Sequence, residues 1–211
     1  ALLLAAARNV GAGERMVRRG EWSGWAPTQL LGQPLQGRRL GIVGMGAIGR
    51  AVARRARGWD MDVVYFNRSR VAEDVERELG ATYVSVDELL STSDVVSLHA
   101  PLNDASRHLL DRAAFERMKP TAVLVNTGRG ALIDEAVLVD VLRERRIAAA
   151  GLDVYEFEPR ITEGLLELDN VVLAPHLGSA ATDARAAMVE LCSRNILEVL
   201  AGRPAVTPAP G

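Results

Sequence analysis

From Arg39 onward the chain alternates between short apolar runs and segments with helical periodicity. The apolar runs lie at 40–43, 62–66, 94–98, 122–126, 148–154 and 170–174, and helical patterns fall at 47–58, 71–80, 106–118 and 134–146. The runs lack the in–out alternation of a sheet with one wet face, so they read as strands buried on both sides. Strands of that kind alternating with helices predict an α/β fold, a doubly wound, mostly parallel sheet of about seven strands with helices on each face. Ser85 and Glu88 have the spacing of a capping box, which marks the start of a short helix. Ahead of the first strand, residues 2–20 read as one helix, followed by a linker with Trp22, Trp25, Pro27 and Pro34. The last long helix runs from about 180 to 201, and a tail, Gly202 to Gly211, closes the chain. Tryptophans on a linker suit local packing or an anchor against a second subunit.

Composition narrows the class. Hydrophobic residues make up 48% of the 211, enough for a large core, and the formal net charge of −2 is unlike the basic footprint of a nucleic-acid binder. Cys192 is the only cysteine, which excludes an intrachain disulfide and favours a reducing compartment, so a cytoplasmic location is expected. Its apolar neighbours predict a buried thiol. No apolar run approaches the ~18 residues of a membrane span. The opening ALLLAAARNV lacks a basic leader and reads as helix rather than as a signal peptide. No metal site is expected.

The first chemistry-bearing motif is Gly44-Met45-Gly46-Ala47-Ile48-Gly49, a GxGxxG placed after an apolar strand and opening a helix. Gly44 would permit the tight turn, Gly46 the approach of a pyrophosphate to the backbone, and Gly49 close packing of helix on strand. The helix start, at Ala47 and Ile48, would offer unpaired N–H groups and a positive dipole end to the phosphates. A glycine-rich structural turn, or a methyltransferase loop, is the alternative. In NAD-binding units an acidic residue about 20 positions on binds the ribose 2′-OH. Here the second strand runs into Asn67-Arg68-Ser69-Arg70, with no carboxylate and two guanidiniums. Arg can grip a 2′-phosphate that a carboxylate would repel, so NADP(H) is expected over NAD(H), which stays possible. A solvated basic turn is the bland reading.

Three later segments, VNTGRGALID at 125–134, GLDVYEFEP at 151–159 and LAPHLGS at 173–179, each begin at the carboxyl end of a candidate strand, the edge where ligands bind in an open α/β sheet. Together GMGAIG, SLHAPL, NTGRG, LDVYEFEP and PHLGS resemble, in order and spacing, the D-isomer-specific 2-hydroxyacid dehydrogenase family, and the resemblance covers essentially the whole chain. It implies a Rossmann dinucleotide-binding domain. It makes Arg129 the clamp on a substrate carboxylate, and Glu158 and His176 the acid–base pair. The chemistry agrees: a planar guanidinium can hold the carboxylate of a 2-keto acid and polarise its ketone. Imidazolium at His176 can protonate the carbonyl oxygen as hydride reaches C2, with Glu158 favouring that charged form. Taken singly, Arg129 could be an ion-pair residue, His176 a core hydrogen bonder and Glu158 a loop residue.

The resemblance also places Asp153 at the nicotinamide carboxamide, with a strand-end cap as its alternative. The backbone of His99, Ala100 and Pro101 falls beside the adenosine, and Thr127, Gly128 and Gly178 on the nicotinamide side. Gly128 stands where the family often has another small residue. His99 reads as structural, and His108 has no evident role.

The domains expected are 1–36, an interdomain or dimerisation helix and arm; 37–178, the dinucleotide-binding domain; and 179–211, a C-terminal helix and tail. Family members of full length carry an N-terminal portion of a substrate domain ahead of the first helix. The resemblance implies that this portion is missing and that the 211 residues bind a dinucleotide but turn over 2-keto acids poorly. The activity expected of the parent is NADPH-dependent reduction of glyoxylate or hydroxypyruvate by a homodimer, with a small 2-keto or 2-hydroxy acid as partner and neither nucleic acid nor membrane. Two rivals stay open: an NAD-linked phosphoglycerate or phosphite dehydrogenase, and a non-catalytic dinucleotide-sensing corepressor.

Overall fold

The computed structural model describes residues 1–208; the last three residues of the expected tail lie outside the described residues. The chain forms two compact units, Ala1–Pro175 and a smaller one beginning at His176.

The larger unit is built on seven strands: β1 Arg39–Val43, β2 Asp62–Phe66, β3 Ala81–Tyr83, β4 Val95–Leu98, β5 Val123–Asn126, β6 Ala149–Leu152 and β7 Val171–Leu173. They pair in the order β3-β2-β1-β4-β5-β6-β7, and every pairing is parallel. All carboxyl ends therefore share one edge. The order reverses between β1 and β4, paired from Leu40 opposite Val95 to Val43 opposite Leu98, and a crevice at such a reversal is where doubly wound sheets bind ligands.

Side chains of a strand alternate between faces, and the core divides accordingly. Val64, Val96, Leu124 and Ala150 join one buried cluster, centred on Phe115, Leu138 and Leu142. Their sequence neighbours Val63, Val95, Val123 and Ala149 join the other, with Tyr65, Met45 and Ala53. Every residue of β4, β5 and β6 is buried, which is why those runs read as continuous apolar stretches.

The helices are α1 Leu2–Ala7, α2 Val10–Arg18, α3 Ala47–Ala56, α4 Glu73–Leu79, α5 Val86–Thr92, α6 Arg112–Arg117 and α7 Glu135–Arg143. The Ser85 hydroxyl accepts the Glu88 amide at the start of α5, as its spacing predicted. Two helices are shorter than the periodicity suggested. The segment 2–20 breaks at Asn9, which is left-handed (φ 53°) and donates its side-chain amide to the carbonyls of Leu30 and Leu31, fastening the arm. Ala6 and Ala7 are buried in the core, so the 1–36 segment is joined to the sheet through α1. The pattern at 106–118 yields helix only from Arg112. Asn103 gathers the amides of Ala105 and Ser106 into a turn, His108 is left-handed, and Asp111 caps the helix through the Ala114 amide. The edge strand β3 had no apolar run of its own; its three residues include an exposed Thr82.

In the smaller unit α8, Thr182–Leu200, carries exposed apolar side chains, among them Met188, Val189 and Leu197. Cys192 is exposed too. The expectation of a buried thiol is thereby corrected: it assumed that an apolar helix face is a covered one. The Asn195 side chain meets Thr207, turning the tail back along the helix. Among the described residues no helix is long and apolar enough to cross a membrane.

Phe115, fully buried in the first cluster, is expected to cost about 3–5 kcal/mol of stability when replaced by Ala. Chemical denaturation checks this; a loss below about 1 kcal/mol would remove it from the core.

Candidate active site

The three glycines of the first motif meet three different demands. Gly44 has φ 98°, and a Cβ there would lie 2.6 Å from the Ala100 amide nitrogen and from the His99 carbonyl carbon. The turn after β1 thus touches the backbone leaving β4. Gly49 would place a Cβ 2.2 Å from the Gly44 carbonyl oxygen, so the first turn of α3 lies directly on the loop. At Gly46 a Cβ would meet nothing within 4 Å. Gly46, Ala47 and Ile48 are exposed, and no side chain caps the N-terminus of α3. This open, glycine-floored helix start fits a pyrophosphate, whose oxygens its N–H groups can bind.

At the end of β2, Asn67 donates its side-chain amide to the Ser69 carbonyl, and its own carbonyl accepts the Tyr83 hydroxyl. Arg68 and Ser69 are exposed. Arg70 differs from Arg68: its Nε and Nη2 donate to the two carboxylate oxygens of Glu76 at 2.9 and 2.7 Å.

At the end of β4, burial pushes the His99 imidazole down to about 4, so the ring is neutral at pH 7. Its Nε2 lies 2.9 Å from the Ser97 hydroxyl and its Nδ1 3.4 Å from that of Thr127. The ring ties the ends of β4 and β5 together. Ala100 is half-buried and Pro101 exposed beside it.

After β5 the buried Asn126 holds the turn that carries Arg129. Its Oδ1 accepts the Gly128 amide and its Nδ2 donates to the Arg129 carbonyl. Gly128 has little room, with a Cβ falling 3.1 Å from Leu132. The Arg129 side chain is exposed and donates to the Gly128 carbonyl at 2.7 Å. The next residue, Gly130, would put a Cβ 1.8 Å from the Tyr155 carbonyl carbon. The Arg129 turn and the loop after β6 are therefore in backbone contact.

That loop starts at the buried Asp153 and carries Glu158, whose Oε1 accepts the Tyr155 amide at 3.0 Å. It is anchored by groups the motif reading did not single out. The buried Glu135 accepts the Glu156 amide and the Thr162 hydroxyl, both at 2.6 Å, and burial raises its carboxyl above the usual range. Glu156 in turn lies 2.7 Å from His108 Nε2. The Tyr155 hydroxyl, pushed up to about 12 by burial and then by the Asp153 charge, donates to the Ala174 carbonyl. The available signals were the first acid in YEFE, Glu156, and an acid just after the helix cap Asp134, but neither spacing names a partner.

The larger unit brings together the glycine turn, Asn67–Arg70, His99–Pro101, Thr127–Arg129, Asp153 and Glu158 along the carboxyl edge of its sheet. His176 begins the smaller unit, after Ala174 and Pro175 follow β7. It is exposed and left-handed (φ 53°), with Leu177 and Gly178 next in the chain.

Residues 1–178 match the model of the D-isomer specific 2-hydroxyacid dehydrogenase NAD binding domain. The glyoxylate reductase of Thermococcus litoralis is 47% identical over 206 residues, covering 96% of this chain and 62% of the relative. A crystal structure of a glyoxylate reductase from Paecilomyes thermophila superposes with a TM-score of 0.91 at 41% identity, covering 99% of this chain and 62% of the other. An acyclic imino acid reductase in complex with NADPH and D-Arg gives 0.83 at 33% identity, covering 96% and 63%. The chain thus spans about 60% of the length of the curated relatives it matches. With the family's glycine turn, strand order and ordered motifs all in place, the chain belongs to the D-isomer specific 2-hydroxyacid dehydrogenases, through their NAD-binding domain.

Proposed function

We propose that the protein reduces a small 2-keto acid, glyoxylate or hydroxypyruvate, with NADPH, in the cytoplasm and as a homodimer. The observation that carries the cofactor choice is the end of β2, where Asn67 and the exposed Arg68 stand in place of the carboxylate that would receive a 2′-OH. The bound dinucleotide would supply the hydride. Gly44–Gly49 would hold its pyrophosphate, Asn67–Arg70 its 2′-phosphate, the backbone of His99–Pro101 its adenosine side, and Thr127, Gly128, Asp153 and Gly178 its nicotinamide side. Arg129 binds the substrate carboxylate. His176 gives a proton to the carbonyl oxygen as charge grows there, and takes it back in the oxidative direction. Glu158 is its partner in that exchange. The glyoxylate reductases among the relatives support the substrate class.

Arg68→Ala is expected to weaken NADPH binding by about 1–3 kcal/mol, the worth of a charged hydrogen bond, and to leave NADH nearly unchanged. Fluorescence titration with each nucleotide checks this, and equal losses for both would return the choice to NAD(H).

In the whole protein, His176→Ala should lower kcat by about 10²–10⁴-fold, the usual share of general acid catalysis. Arg129→Lys should fail as badly, because a point charge cannot copy the two-pronged fork. Near-normal turnover of a panel of 2-keto acids by either variant would refute these roles.

Trp22 and Trp25, both exposed on the arm, support the dimer. Sedimentation at micromolar concentration should give a dimer; a monomer with the arm intact would dismiss it.

A further inference from the structure

We propose that Tyr65 and Glu76 are positioning residues for cofactor discrimination: they hold Arg70 as a strut within the turn, so that Arg68 is the guanidinium that meets the 2′-phosphate. This rests on the NADPH reading above and deepens it. The two arginines flanking Ser69 look equivalent in sequence, but their surroundings differ. Arg70 grips both oxygens of Glu76 through two donors, at 2.9 and 2.7 Å, the paired geometry in which guanidinium and carboxylate bind most strongly. Its charge is therefore matched by a carboxylate of the protein, although the guanidinium itself stays exposed. Among the described residues, the Arg68 side chain makes neither an ion pair nor a hydrogen bond and is exposed.

The strut is anchored in the core. Tyr65 lies on β2 with none of its surface exposed, and its hydroxyl donates to Glu76 Oε1 at 2.6 Å while accepting the Val71 amide at 3.0 Å. Glu76 sits on α4 and is itself nearly buried, at 9% exposure. One tyrosine hydroxyl thus fixes both the carboxylate that receives Arg70 and the backbone just beyond Arg70. On the other side of Arg68, the Asn67 carbonyl accepts the Tyr83 hydroxyl, and the Asn67 amide closes on the Ser69 carbonyl. Arg68 is presented from a turn pinned at both ends. Glu76 alone would set an uncompensated negative charge close to a phosphate site; its pairing with Arg70 offsets that charge. Its carboxyl is held down to about 2, first by the Arg70 hydrogen bonds and then by Tyr65, whose hydroxyl burial lifts to about 12, so the charge pattern persists throughout the neutral range.

The test uses two substitutions that leave net charge unchanged, with Arg68→Ala as the reference for a lost phosphate contact. Equilibrium titrations of the full chain with NADPH and with NADH would compare the unaltered protein with Tyr65→Phe, Glu76→Asp and Arg68→Ala. Tyr65→Phe removes only a buried hydroxyl that no ligand reaches, and Glu76→Asp keeps the charge but withdraws the carboxylate from the fork. Each is expected to lower NADPH affinity about fivefold, the scale of one lost hydrogen bond, with NADH changed less than about twofold, so the NADPH/NADH preference falls. A merely structural role would lower both affinities together, and that result, or an unchanged ratio in both variants, overturns the proposal. Should Tyr65→Phe not fold, Glu76→Asp decides alone. If Arg68→Ala is selective for NADPH while the other two are neutral, the positioning proposal fails and the NADPH reading stands. If the unaltered protein shows no NADPH preference, that reading fails and takes the proposal with it.

Discussion

The backbone leaving β4 passes so close to the turn after β1 that residue 44 has no room for a side chain. The amide of Ala100 and the carbonyl of His99 stand where a Cβ would go, and the turn requires φ 98° besides. This contact lies between the strands at which the sheet order reverses. Because every strand is parallel, the loops that follow the other strands emerge at the same edge. Gly49 lets α3 lie directly on the Gly44 carbonyl, and the helix start at Gly46–Ile48 stays exposed. The proposed binding of a pyrophosphate there would follow from backbone geometry, with no cationic side chain required.

A second contact of this kind couples the loops that carry Arg129 and Glu158. Gly130 is pressed on the backbone of Tyr155 and Glu156, so the Arg129 turn and the Glu158 loop are positioned as one piece. Asn126 fixes the first from within, and Glu135 fixes the second through an amide and a hydroxyl. The exposed side chains of Arg129 and Glu158 are thus borne on backbone held by hydrogen bonds from buried groups, where an unmet hydrogen bond is costly.

What could be read in advance follows from the range of each interaction. The central strands β4, β5 and β6 were legible because burial on both faces leaves an unbroken apolar run. The glycine motif was legible because each glycine answers a local demand. The break at Asn9 was not, since it depends on carbonyls of Leu30 and Leu31 far along the chain. Nor was the shortening of the 106–118 helix, where Asn103 and a left-handed His108 divert the chain before Asp111 caps it. Cys192 differs in the opposite sense: an apolar helix pattern suggests burial, but periodicity tells which residues share a face and nothing of what covers it, and the thiol is exposed.

The site residues divide in the same way. Arg129, Glu158 and His176 lie in motifs that can be read from spacing, because each follows a strand end by a short, fixed turn. Glu135 holds the Glu158 loop from α7, and Tyr65 and Glu76 hold the Asn67–Arg70 turn from β2 and α4, where no spacing joins one to the other. The two arginines of Asn67–Arg70 show why this matters. By sequence both are cations beside a strand end, and a phosphate has no reason to distinguish them. In the fold both are exposed, but one is paired with a carboxylate anchored to a core tyrosine and the other has no such pair among the described residues. Charge available to a ligand is what remains after the protein has satisfied its own pairs, and that remainder is a property of the packed structure.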